Sequence, residues 1–453
     1  MIPAQHRAFV PILLAYLVIA SLYALLIPEW EAPDEPAHYN YIRQLAGWQM
    51  PIMTAADYDQ AYQSEVVSKD FDPQYSVTTA FSYEDYQPPL YYMLQTPVFW
   101  LSGGSTAAMR MFGVLLGTIT LTLAWLVLQQ VTVWARWHRS IPVLGTAFFA
   151  FLPQHIAMQA SINNDSLAEL LIAGGLLALI FQVSAWQKDE PSSQSKWWLI
   201  ALMSMALLTK VTAYMLILVV GVTILFVFWN NWTRIIHKGF ELFTLPFLVG
   251  CVWWGRNLWV YGWPDFLGIR RHDEVVVGQP KTAEWIEQFG AYETGRRFIQ
   301  TSFRSFWGQF GWMEVVMPSW VYTALALFSI IVAIGFVLTI SRHQLSTNNH
   351  PLAANYLLPT TRHPLSTILY SLLSTLFLLN LALYLAYNLT YVQHQGRYFF
   401  SALVPISLAV AIGVWFFIGQ NKHLEKLPWG TLFSAGLIGL NVLALFRFIL
   451  PAL

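Results

Sequence analysis

Charge is what this sequence has least of. Its 24 Lys and Arg and 24 Asp and Glu make up only 11% of 453 residues, against roughly 25% in ordinary soluble domains. The two signs cancel, so the chain has no basic excess with which to hold a phosphate backbone, and nucleic acid is excluded as a partner. Cysteine is nearly missing as well. The single Cys251 rules out an intrachain disulfide, and its apolar surroundings contain no metal-ligand spacing. What is abundant is apolar: 56% hydrophobic residues, among them 21 tryptophans. Neither a soluble fold nor a disordered chain accommodates that composition. An all-α polytopic membrane protein does, with residues 1–453 forming a single membrane domain.

A membrane helix needs about 20 mostly apolar residues. Runs of that kind predict about eleven transmembrane helices, near 9–28, 106–132, 141–158, 167–187, 196–209, 211–232, 239–262, 319–341, 365–388, 398–419 and 429–450. The pair around Lys210 is the weakest of them, since one lysine is the only break. The first run is not a cleavable signal, because it is long and leads into Glu29-Trp30-Glu31 rather than a small-residue cleavage site. With the N-terminus inside, the short cytoplasmic loops hold Arg7, Arg136, Arg139, Lys188, Lys196, Arg234, Lys238, Arg342, Arg362, Lys422 and Lys426. Only Asp189, Glu190 and Glu425 oppose them. Short loops rich in Lys and Arg mark the cytoplasmic side. Two long segments, 29–105 and 263–318, then face the other side and are expected to carry amphipathic interfacial helices. Few ionisable residues fall at mid-span, which argues for chemistry at the outer membrane surface rather than proton-coupled transport.

The first long segment opens on Pro33-Asp34-Glu35-Pro36-Ala37-His38. Pro36 suits the first turn of a helix, and Asp34 or Glu35 could cap it. Asp34 and His38 are four residues apart and could share a helical face. Besides a plain N-cap, Asp34 could act as a general base at the membrane surface, kept ionised by the helix N-terminus. The two carboxylates with His38 could also hold a divalent cation such as Mg or Mn. Further on, Gln87-Pro-Pro-Leu-Tyr-Tyr92 restarts a helix too short to span, which places Leu90–Leu101 in the interface.

Together these motifs resemble the GT-C superfamily of membrane glycosyltransferases, which includes the protein O-mannosyltransferases, the lipid A aminoarabinose transferase and the oligosaccharyltransferases. A related bacterial family with Pro-Asp-Glu-Pro-x-His, Ser-x-Asn-Asn-Asp and Gly-Arg-Tyr looks nearer still. Here these are Pro33–His38, Ser161-Ile162-Asn163-Asn164-Asp165 and Gly396-Arg397-Tyr398, with Thr209-Lys210-Val211-Thr212 and Ser305–Trp312 also similar. The resemblance implies transfer of a sugar from a polyprenyl-phosphate carrier in the membrane to a glycan, lipid or protein acceptor outside the cytoplasm. It also implies a catalytic acid in the first external loop, falling on Asp34 with Glu35 as its neighbour, at the plasma (inner) membrane.

A lipid-phosphate donor needs cations at the surface, and topology offers Lys210, Arg256, Arg270, Arg271, Arg304 and Arg397. A guanidinium can hold two phosphate oxygens at once, and Gly396 permits close backbone approach beside Arg397. Snorkelling is the plainer reading of Lys210, and a surface salt bridge that of Arg270 and Arg271. Asn164 and Asp165, with His38, are candidate substrate contacts, although a turn and N-cap fit the asparagines well. Trp307 and Trp312 suit an aromatic belt. Two other classes compete with an inverting transferase. One is a non-enzymatic lipid-carrier flippase, which would need polar residues at mid-span, and the other is a membrane partner of a polysaccharide-assembly complex.

Overall fold

In the computed structural model, residues 4–71, 80–188, 194–348, 365–421 and 423–453 are described. Arg362, Lys422, Asp189 and Glu190 lie outside them, as do the side chains of Arg7 and Lys426. The chain is helical almost throughout. Its first half holds α1 (Ala4–Leu26), α2 (Glu35–Ala46), α3 (Gln60–Val67), α4 (Leu90–Ser102), α5 (Thr106–Trp134), α6 (Ile141–Ala150), α7 (Pro153–Gln159), α8 (Asp165–Gln187) and α9 (Gln194–Leu207). Then follow α10 (Met215–Val227), α11 (Trp232–Tyr261), α12 (Ile269–Val275), α13 (Thr282–Phe289) and α14 (Ala291–Trp307). The last are α15 (Ser319–Asn348), α16 (Leu365–Thr390), α17 (Leu403–Gly419) and α18 (Trp429–Leu443). A small hairpin, β1 (Gln309–Phe310) with β2 (Val315–Val316), is antiparallel, pairing Gln309 with Val316.

All eleven predicted spans are helical, but only eight are long and apolar enough to cross a membrane among the described residues, α17 and α18 by including the adjoining turns Gly396–Ala402 and Ala444–Ile449. A ninth, α6–α7, bends by 60°. Pro153 causes that bend: it lacks an N–H and its ring collides with the preceding turn, so the helix stops at Ala150 and restarts. The pair flanking Lys210 departs most from expectation. α9 has 14 residues and α10 has 13, short of the roughly 20 a span needs. Between them Lys210 is extended and a 3-10 turn follows at Val211–Tyr214, so polar backbone reaches into the bundle.

The bundle core is built where α1, α5, α6 and α8 meet, around Tyr23, Leu121, Trp125, Leu144, Phe148 and Leu179. Elsewhere helices approach through small residues, as membrane helices do. A Cβ on Gly335 of α15 would strike the Gly413 carbonyl of α17, and a Cβ on Gly413 would strike the Val332 carbonyl of α15.

At one end the two long segments fold over the bundle together. Met53, Val66 and Phe81 of the first share a small core with Val275 and Val276 of the second. Gln60 Nε2 donates to the Gly278 carbonyl at 3.1 Å, and Arg271 Nε to that of Met53 at 3.1 Å. This lid of short helices roofs a cavity at the ends of α8, α16 and α17.

Candidate active site

Asp34 immediately precedes α2 with φ of 69° and ψ of −7°, in the left-handed region that costs a non-glycine residue energy. That backbone turns its carboxylate away from the helix it precedes, and no side-chain cap forms. Instead Oδ1 accepts from the Tyr83 hydroxyl at 3.1 Å and Oδ2 from Arg397 Nη2 at 2.7 Å. The N-cap reading is therefore replaced by an ion pair between residues 363 positions apart.

Glu35 does the opposite. It is fully buried, and each oxygen takes two donors. Oε1 accepts from Arg110 Nε at 2.8 Å and Ile162 N at 3.1 Å; Oε2 accepts from Arg110 Nη2 at 2.5 Å and Trp30 N at 3.1 Å. Arg110 also donates to the carbonyls of Ile27 and Pro28, so the pair locks the end of α1 to the start of α2. The expected catalytic role of Glu35 is corrected accordingly: its lone pairs are filled and it does not line the cavity.

The tyrosines of the Pro-Pro motif tie the other motifs together. Leu90 N donates to the Leu208 carbonyl at 2.9 Å, which anchors α4 next to Lys210. Tyr92 stacks on Tyr41 at 3.7 Å between centroids. Its hydroxyl accepts from Asn164 Nδ2 at 3.2 Å and lies 3.0 Å from His38 Nδ1. Tyr91 accepts from Asn163 N at 3.0 Å. Burial and Lys210 push His38 down to about 3, so the imidazole is neutral. With the ring neutral, Nδ1 can accept the hydrogen bond of the Tyr92 hydroxyl while Nε2 carries the ring hydrogen. Asn164 is thus a brace for Tyr92 rather than a helix cap.

A second ion pair faces the first. Asp165 Oδ1, at the N-terminus of α8, is 2.7 Å from Lys210 Nζ. Lys210 is not snorkelling; its extended backbone between α9 and α10 delivers the ammonium to the cavity. Gly396 delivers the guanidinium in the same way. A Cβ there would meet the α14 backbone at Ser302 and Phe306, and its N–H donates to Ser305 Oγ at 2.7 Å. Only glycine lets the turn carrying Arg397 approach so closely. Beyond Asp34, Arg397 lies over the Tyr398 ring at 5.7 Å from its centroid and 3.9 Å from the weakly accepting Met158 sulfur, while its buried Nε has no partner among the described residues.

The cavity holds about 540 Å³ and is lined by Asp34, His38, Glu84, Asp165, Lys210 and Arg397, among others. Burial alone would raise the Asp34 carboxyl, but the charge and hydrogen bond of Arg397, with Lys210 nearby, hold it below the usual carboxylate range. Glu84 goes the other way: burial and the Asp34 charge push it up to about 7, against Lys210 and His272. Its Oε2 is buried without a hydrogen-bond partner. Sequence reasoning passed over Glu84, Tyr83 and Arg110, although Glu84 stands three residues before the Gln-Pro-Pro motif.

Four of the predicted cations serve elsewhere. Arg256 donates to Asn257 Oδ1 at 3.0 Å, to Tyr261 at 3.2 Å and to the Pro51 carbonyl. Arg304 lies over the Tyr322 ring, 5.2 Å from its centroid. Neither lines the cavity, so both are corrected from substrate contacts to structural groups. Arg270 and Arg271 are ion-paired with Glu274. Among the described residues no three His, Cys, Asp or Glu side chains converge to hold a metal ion. Asp34, Glu35 and His38 diverge onto Arg397, Arg110 and Tyr92, so that trio does not fit a divalent cation.

The family described as "Predicted membrane protein (DUF2142)" matches residues 17–406. No curated protein matches the chain. Among solved structures, the Archaeoglobus fulgidus oligosaccharyltransferase tethered with an acceptor peptide superposes with a TM-score of 0.50 at 10% identity, over 96% of this chain and 53% of that one. ArnT from Cupriavidus metallidurans bound to undecaprenyl phosphate gives 0.42 at 12% identity, over 98% of this chain and 73% of that one. This chain spans about half the length of the oligosaccharyltransferase. At such identity the likeness is one of fold, the GT-C-like helical architecture.

Proposed function

The chain belongs to the family of predicted membrane proteins DUF2142, and from that premise we propose that it is a GT-C-type glycosyltransferase using a polyprenyl-phosphate-linked sugar at the non-cytoplasmic face of the plasma membrane. The observation that carries this reading is the pairing of Arg397 with Asp34 and of Lys210 with Asp165 in one cavity at the ends of the spans. Two fixed cations there match the phosphate of a lipid carrier whose tail stays in the bilayer. The excess of Lys and Arg in the opposite short loops supports the assignment of face.

In this mechanism the donor phosphate engages Lys210 and the unpaired N–H groups of Arg397. Engagement loosens Arg397's hold on Asp34, whose affinity for a proton rises. An acceptor hydroxyl attacks the anomeric carbon from the face opposite the phosphate. Its oxygen forms the new bond while the carbon–oxygen bond to phosphate breaks. The hydroxyl proton passes to Asp34, polyprenyl phosphate leaves with the electron pair, and the sugar stays on the acceptor with inverted configuration. Lys210 and Arg397 offset the charge that develops on the leaving oxygen. No step needs a metal, because the ammonium and guanidinium supply the positive charge at the two aspartates.

Asp34→Asn keeps the shape and loses the base. Transfer from native donor lipid should fall by at least about a hundredfold, with donor binding retained. Wild-type turnover by this variant would reject the assignment.

A further inference from the structure

Behind Trp312 lies a second cavity of about 540 Å³ that the transfer mechanism does not use. Among the described residues its lining carries the side-chain carboxylates of Glu31, Asp70 and Glu314 and the guanidinium of Arg447, with Phe448 on its apolar wall. Glu31 is the telling member. It is 96% buried, at 4% exposure, and its Oε1 has no hydrogen-bond partner. A buried polar atom without a partner is costly unless something fills the need. Among the described residues no three carboxylates are arranged to hold a metal ion.

The position of this cavity is informative. Glu31 and Asp34 belong to one loop, and they open into different cavities. Trp312 lines both and is fixed between them by donating to the Trp30 carbonyl at 3.0 Å. A molecule seated on Glu31 therefore lies one indole away from the proposed base.

We propose that this acidic cavity binds a protonated amine, and that the amine belongs to the acceptor, which it anchors beside Trp312 with its hydroxyl directed toward Asp34. The second clause rests on the transferase reading; the amine site does not. An alkylammonium suits the lining: Glu31 offers the charge a partner, Asp70 and Glu314 add negative field around it, and Phe448 offers the carbon stem an apolar wall. Ammonium–carboxylate hydrogen bonds are about twice as strong as neutral ones, and Glu31 Oε1 would gain the donor it lacks. Burial, with Asp70, Glu314 and Glu35, pushes the Glu31 carboxyl up to about 7 against Arg110, as expected of a carboxylate outnumbered by like charges.

The test uses the full chain in lipid nanodiscs, titrated calorimetrically with n-butylamine and, as the neutral counterpart, n-butanol, at pH 8. Saturable one-to-one binding of the amine alone is expected. Glu31→Gln should weaken it at least tenfold, and so should Glu314→Gln at the exposed rim, where folding is not at stake. Equal binding of butanol, no saturable amine binding, or binding unchanged by both variants would overturn the proposal. Because no turnover is measured, amine binding in a protein that transfers no sugar would sink the transferase reading and leave this site standing.

Discussion

At the scale of single residues, the site is made by unlike treatment of like groups. Asp34 and Glu35 are neighbours in sequence, yet one opens into a cavity and the other is closed on four donors. Glu84 gives a prediction with a definite sign. Its carboxyl sits near 7 when folded and at 4.5 ordinarily. Below pH 4.5 both folded and unfolded chains hold the proton; above it the unfolded chain releases the proton first, so stability falls as pH rises to about 7. Glu84→Gln cannot titrate. Its unfolding free energy should therefore gain on the wild type between pH 5 and 8, by up to about 3 kcal/mol at roughly 1.4 kcal/mol per unit, with the thermal midpoint rising in step. A gap that stays constant with pH would contradict the burial of Glu84 beside Asp34. Asp34 was legible in the sequence because its motif is local. Glu84 was not, since its environment comes from Asp34, Lys210 and His272, which only the fold assembles. Arg256 was misread for a related reason. Topology placed a cation at the right depth, but not the acceptors that already occupy it.

At the scale of elements, short breaks matter more than long helices. The eleven helical runs were legible because hydrophobic length is a strong signal. The shortness of α9 and α10 was hidden by Lys210 being the only charge between them, and the 60° bend before α7 by a lone proline within an apolar run. These interruptions position the chemistry: Lys210 sits at one, and the turn at Gly396 precedes α17. Gly396→Ala should push that turn off α14 and displace Arg397 from Asp34. Transfer should drop by about a hundredfold, as ångström-scale misplacement can cost, while the helical content by circular dichroism stays unchanged. Full activity in the alanine variant would show that the close approach is dispensable.

On the scale of the whole molecule, the two long segments form one roof over one end of the bundle, and the motifs scattered between residues 33 and 398 meet beneath it. Cysteines at Gln60 and at Lys281, in a Cys251→Ser background, should both react with an impermeant thiol reagent in intact cells. Labelling of only one would break the shared-face topology, given that Gln60 bonds to Gly278. The central claim is that this roofed cavity holds a polyprenyl-phosphate sugar on Lys210 and Arg397 and discharges it through Asp34. The most direct measurement is mass spectrometry of lipids co-purified with the protein from native membranes. The sugar-loaded carrier should be retained by Asp34→Asn and lost from the Lys210→Ala, Arg397→Ala double variant. Recovery of no polyprenyl phosphate from the Asp34→Asn protein, or its undiminished recovery from the double variant, would contradict the account.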